Sequence, residues 1–80
     1  MNRFKREGYR CAYQALCDRM ADISADAVDI ENDPELTEDE KLQRIKVSEA
    51  YLEGLRQVID DMLDTIRSND SEFAAILELN

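Results

Sequence analysis

The sequence predicts an all-α protein, an antiparallel helical hairpin with a short C-terminal helix. Apolar residues recur at helical spacing in two long stretches, and the only proline, Pro34, lies between them. The length of 80 residues allows one small domain. We therefore expect a single domain over residues 1–80, with long helices at about 9–31 and 38–68 and a turn over 32–37.

The first helix follows from apolar residues that alternate in steps of four and three, which is the heptad pattern of a packed helix. The basic segment before it contains Gly8, which disfavours helix, and three cations that oppose the helix dipole at an N-terminus. We expect residues 1–8 to fray or form an arm. The predicted seam of the first helix is Tyr9, Tyr13, Leu16, Met20, Ile23, Ala27 and Ile30.

The turn and the second helix follow from local chemistry around the proline. Pro34 disfavours the helical conformation at Asp33, so the first helix should end near Glu31. Thr37 and Glu40 have the spacing of a capping box, which predicts that a helix begins there. The seam of this second helix is Ile45, Ser48, Leu52, Leu55, Ile59, Met62 and Ile66.

The C-terminal segment predicts one further short helix. The polar residues 68–71 interrupt the apolar pattern, and Phe73, Ile76 and Leu77 then follow at helical spacing. A connection of about six residues between the long helices makes them antiparallel neighbours.

Each long helix has more apolar surface than one contact between two helices can cover. We interpret the surplus as an association flank and expect a homodimer or a higher homo-oligomer that forms a helical bundle. The alternatives are a monomeric three-helix unit and a hairpin that stays open for a foreign helix. The flank consists of Cys17, Ala21, Val28, Tyr51, Val58 and Leu63.

Composition excludes several classes of function. The formal charge is −9, which argues against direct binding to nucleic acid or to an anionic membrane. The sequence has no apolar run long enough to predict a membrane span or a secretion signal. We therefore expect a cytoplasmic protein. Histidine is absent and the two glycines are isolated, so histidine-based catalysis and phosphate-cradling loops are excluded. We predict neither an enzyme nor a bound cofactor.

A stripe of aspartates is the main candidate site for a charged partner. Asp22, Asp26, Asp29 and Asp33 follow each other at helical spacing, so they could imitate the phosphates of a nucleic-acid strand in a basic groove. The simpler interpretation is the solvated face of an amphipathic helix. In its shortness, acidity and helical character the chain resembles a broad class of small inhibitors made by phages and mobile elements.

Two further patterns are weaker. Oxygen-bearing side chains have the spacing of a calcium-binding loop, but Pro34 stands where that loop requires glycine, so we predict no metal site. Cys11 and Cys17 are expected to be small buried thiols, with exposure and cross-linking between chains as the alternative. The residues with calcium-loop spacing are Asp29, Glu31, Asp33, Glu35, Thr37 and Glu40.

Two functional hypotheses remain. The first is a non-enzymatic interaction module, an inhibitor, regulator or adaptor that binds a protein partner through the apolar flank. The second is an acidic decoy that occupies the nucleic-acid-binding groove of a basic protein through the aspartate stripe.

Overall fold

The computed structural model describes residues 1–79 and contains three helices in that range. Helix α1 spans Arg3–Glu31, α2 spans Glu38–Asn69 and α3 spans Ser71–Glu78. The two long helices pack against each other as an antiparallel hairpin of 51 × 17 × 15 Å, and α3 packs on α2. The predicted all-α hairpin with a short third helix is confirmed. We call the turn between the long helices the tip and the opposite end the base.

Helix α1 begins at Arg3, six residues earlier than the sequence pattern predicted. The side chain of Asn2 accepts a hydrogen bond from the Lys5 amide at 2.8 Å, which caps the helix. The guanidinium of Arg6 donates to the carboxylate of Asp70 at the start of α3. This contact with an acid neutralises one of the cations that were expected to oppose the helix start, so the segment is helical instead of forming a frayed arm.

The tip is formed by the predicted stop and start signals. Helix α1 ends at Glu31, and the Asp33 carboxylate accepts a hydrogen bond from the Glu35 amide at 2.9 Å. The Thr37 hydroxyl accepts from the Glu40 amide at 3.2 Å, and the Glu40 carboxylate accepts from the Thr37 amide at 3.4 Å. The predicted capping box is therefore confirmed.

The seams of both long helices lie where the heptad pattern places them. Every predicted seam residue is at least partly buried, but only Ile23 of the α1 seam and Ile66 of the α2 seam are fully buried. Each long helix covers the other from one side only, so the remaining seam residues stay partly exposed. The hairpin is thus incompletely packed along most of its length.

The core of the protein lies at the base, where α3 covers the long helices. Ile66, Phe73, Ala74 and Leu77 are almost completely buried there. Partly buried apolar side chains from both long helices pack around this cluster: Met1, Tyr9, Tyr13 and Met62. No helix within residues 1–79 combines the length and the apolar composition needed to cross a bilayer.

Candidate interaction surfaces

Asp70 positions α3 and connects all three helices. It ends α2, its carboxylate accepts from the Phe73 amide at 3.1 Å to begin α3, and it accepts from the Nε and Nη2 atoms of Arg6 at 2.7 and 2.9 Å. The Met1 amine lies 3.4 Å from the same carboxylate. The Arg6 hydrogen bond is the largest cause that holds the pKa of Asp70 below its ordinary value. The sequence pattern alone marks residues 68–71 only as a break between helices.

Aromatic and ionic contacts fix α3 on the side of the hairpin that it covers. The guanidinium carbons of Arg6 and Arg10 lie 5.2 and 5.8 Å from the centre of the Phe73 ring. Arg67 donates to Glu78 of α3 and, at 2.9 Å, to Asp64, and the hydrogen bond to Glu78 is the largest cause that raises the pKa of Arg67.

The side of the hairpin that carries α3 is called here the α3 face. Arg10 reaches α3, and residues 17, 21 and 28 follow it on α1 at intervals of seven, four and seven, so they lie on the same side of the helix. The pKa of Tyr13 is raised first by burial and then by its neighbours Cys17 and Glu78, which agrees with this placement. The α3 face continues past the end of α3 toward the tip.

The opposite side is called the open face. A shallow apolar groove there is lined by Gly8, Tyr9 and Ala12 of α1 and Met62 of α2, with Lys5 at its edge. Nearer the tip, the guanidinium carbon of Arg19 lies 5.5 Å from the centre of the Tyr51 ring. Tyr51 is also the largest cause that raises the pKa of Arg19. Since α3 lies on the other side, it does not cover this groove.

The predicted association flank is divided between the two faces. Cys17, Ala21 and Val28 lie on the α3 face, whereas Tyr51 and Val58 lie on the open face. In an antiparallel pair, flanks with the same heptad position meet on one side. Cys17, Ala21 and Val28 are at e and b positions of α1, whereas Tyr51 and Val58 are at g positions of α2, so the two sets lie on different faces.

Within this flank, exposure also differs. Leu63 is only 7% exposed, so it is a buried packing residue and not part of a free surface. Val28, Tyr51 and Val58 are about half exposed, and Cys17 is partly buried. The six residues of the predicted flank therefore lie on two separate faces, with Leu63 buried.

Three of the four aspartates of the predicted stripe lie together. Asp22, Asp26 and Asp29 are exposed on α1, and among residues 1–79 none of the three has a cation within ion-pair distance. Asp33 departs from the stripe because α1 has ended, and its carboxylate caps the turn at Glu35.

The tip residues with calcium-loop spacing do not converge. Within the described chain, no three acidic or cysteine side chains are placed to hold a metal ion. Cys11 is exposed, contrary to the burial expected for it, because it lies on the side of α1 away from the seam, and Cys17 is partly buried. Both thiols are free.

Comparison with known proteins finds no match. No family model fits the chain, and no curated protein or solved structure is similar enough to identify a relative.

Proposed function

We propose that this chain is a non-enzymatic interaction module that binds a helix of a protein partner. The observation that supports the proposal is the exposed apolar surface along the hairpin, whose core lies only at the base. Leu42 lies about seven helical turns before Arg67 and therefore on the same side of α2, which is the side of α3. Val28 and Leu42 are 54% and 53% exposed near the tip of the α3 face. Large apolar side chains that gather on one surface are typical of association sites.

The α3 face offers a partner helix the same support that it gives α3. Eight residues of helix cover about 12 Å of a hairpin that is 51 Å long, so α3 occupies only the base of this face. A depression continues at the tip, lined by Leu42 and Ile45 with Glu31 and Lys41 beside them. An amphipathic helix placed in line with α3 would bury the apolar residues and meet charges at the rim, as helix-in-groove recognition requires.

The test uses one surface variant as a matched negative bait. The wild-type chain and Val28→Asp are used for affinity capture from the native host, and proteins retained only by the wild type are identified by mass spectrometry. Affinity is then measured by calorimetry for both baits, and we expect Val28→Asp to weaken binding at least tenfold. Equal binding by both baits would remove this surface from the proposal. Leu63→Asp is unsuitable because Leu63 is buried and the variant would unfold.

A second candidate is a decoy that fills a basic nucleic-acid-binding groove. The exposed stripe of Asp22, Asp26 and Asp29 supports it, because these carboxylates have no cation of the chain within ion-pair distance among residues 1–79. Their spacing of about 6 and 4.5 Å along the helix is comparable to that of backbone phosphates. The simpler role of these aspartates, as the solvated face of α1, requires no partner.

The decoy is tested by neutralising this stripe. Replacing the three aspartates with asparagine should weaken binding to a basic partner and flatten its salt dependence. The control is Glu49→Gln, Glu53→Gln and Asp60→Asn, which removes the same charge from α2. Equal effects of both triple variants would mean that only net charge matters. Simultaneous binding of the partner to the chain and to its nucleic acid would exclude occupation of the groove.

We also propose a cytoplasmic location, which fits the two free thiols. Cell fractionation with an antibody to the chain would test it.

A further inference from the structure

The α2 side of the open face differs from the rest of this acidic molecule in its charge, whereas on the α1 side Asp22 and Asp26 lie near Arg19. Along α2, Val47, Tyr51, Leu55, Val58 and Met62 follow each other in steps of four, four, three and four, which places them on one side. All five acids of residues 41–69 project from other sides of α2: Glu49, Glu53, Asp60, Asp61 and Asp64. A chain with nineteen acids thus keeps carboxylates away from this strip. Depletion of charge is a mark of the centre of an interface.

The residues of this strip are too exposed for a face that only meets water. Val47 is 69% exposed, Tyr51 50% and Val58 49%. The whole molecule exposes 5830 Å². A monomeric protein of 9.2 kDa is expected to expose about 4,900 Å². The excess of about 900 Å² belongs to the whole molecule and includes the larger surface of its elongated shape of 51 × 17 × 15 Å. It is enough to supply the roughly 800 Å² that each partner buries in a stable interface of standard size.

We propose that a second copy of this chain covers the open face in an antiparallel, two-fold symmetric dimer. Four of the five strip positions, 47, 51, 58 and 62, are symmetric about a point between residues 54 and 55, and Leu55 falls opposite Gly54. When a copy is reversed about that point, Tyr51 meets the partner subunit's Val58 and Val47 meets the partner subunit's Met62. A two-fold interface needs this kind of self-complementary surface.

Charge favours the antiparallel orientation over the parallel one. At the base, Lys5 is the only charged residue that lines the groove of the open face. Toward the tip, residues 18–40 contain ten acids and one cation, Arg19. An antiparallel copy brings Lys5 toward the partner's acidic tip, whereas a parallel copy would place the two acidic tips side by side. The product is a four-helix arrangement with an α3 on each outer side.

The proposal concerns a different surface from the proposed partner site, so the two are tested separately. Sedimentation equilibrium at micromolar concentration should give twice the 9.2 kDa mass of the chain. Val58→Asp should give a monomer with unchanged helicity, because the side chain is half exposed. The matched control is Val28→Asp, the same substitution at 54% exposure on the α3 face, which should remain a dimer.

A disulfide test reports the orientation. With Cys11 and Cys17 replaced by serine, single variants Tyr51→Cys and Val58→Cys are oxidised alone and as a mixture. In the antiparallel pair, Tyr51 lies seven positions, about 10 Å, from the partner's Tyr51, and the same holds for Val58. This separation exceeds the roughly 7 Å limit between the Cα atoms of a disulfide. Only the mixture should therefore cross-link, and mass spectrometry should find one chain of each variant.

Three outcomes would overturn the proposal. The first is a monomeric wild type up to about 100 µM, and the second is dissociation by Val28→Asp but not by Val58→Asp. The third is cross-linking that is as efficient in either single variant as in the mixture, which would exclude the antiparallel arrangement.

Discussion

Removal of the Phe73 ring should cost the protein a large part of its stability. Phe73 is completely buried between α3 and the long helices. A buried phenylalanine removes about 150–250 Å² from water, worth about 4–6 kcal/mol at 25 cal/mol per Å² as an upper bound. Substitutions of this kind by alanine cost about 3–5 kcal/mol. We expect about 4 kcal/mol for Phe73→Ala, from a total that is about 4–12 kcal/mol for a chain of this length.

Urea denaturation followed by circular dichroism measures this free energy of unfolding. The matched control is Phe4→Ala, the same substitution at a side chain that is 77% exposed, and its cost should stay below about 0.5 kcal/mol. Both variants are measured at two protein concentrations, because association adds a concentration-dependent contribution. A loss below about 1 kcal/mol for Phe73→Ala would show that the cluster at the base is not the core.

Further predictions concern the tip, one glycine and Asp70. Thr37→Ala should lower the free energy of unfolding by about 1 kcal/mol, seen as a decrease of about 4–8 °C in melting temperature, and millimolar calcium should not change the melting temperature of either form. Gly54→Ala should raise stability by about 1 kcal/mol in the same assay, because a Cβ there meets no atom within 4 Å. Asp70→Asn should reduce stability at neutral pH by removing the carboxylate bound to Arg6. The pKa of Asp70 is lowered in the folded state, so its carboxylate stabilises the protein at pH values above the ordinary pKa of 3.8. This stabilisation is lost as the pH falls further. The acid denaturation curves of wild type and variant should therefore converge.

The sequence was sufficient for the elements and the seams because their causes are local. Heptad spacing depends on residues within two turns of each other, and the capping box depends on Thr37 and Glu40 alone. The start of α1 could not be predicted in this way. Arg6 is stabilised by Asp70, which is 64 positions away, and no local rule reports such a contact.

The candidate surfaces were predicted in composition but not in arrangement. Tyr51 and Val58 were recognised as surplus apolar residues, yet grouping them with Val28 required knowing which flanks of two antiparallel helices lie on one side. Asp33 kept the helical spacing of the stripe in the sequence, but the chain leaves the helix two residues before it. Both differences arise where the geometry of a single helix no longer applies.

The shared carboxylate of Asp70 has a consequence for how the molecule opens. The last turn of α2, the first turn of α3 and the first turns of α1 each contribute a group to one side chain, so the loss of any one contact weakens the other two. The base should therefore open as one cooperative unit, with slow hydrogen exchange in all three segments. Toward the tip the seam residues other than Ile23 are only partly buried, so this part of the hairpin should exchange faster. The protein thus has a base that opens as one unit and a tip region that opens more readily.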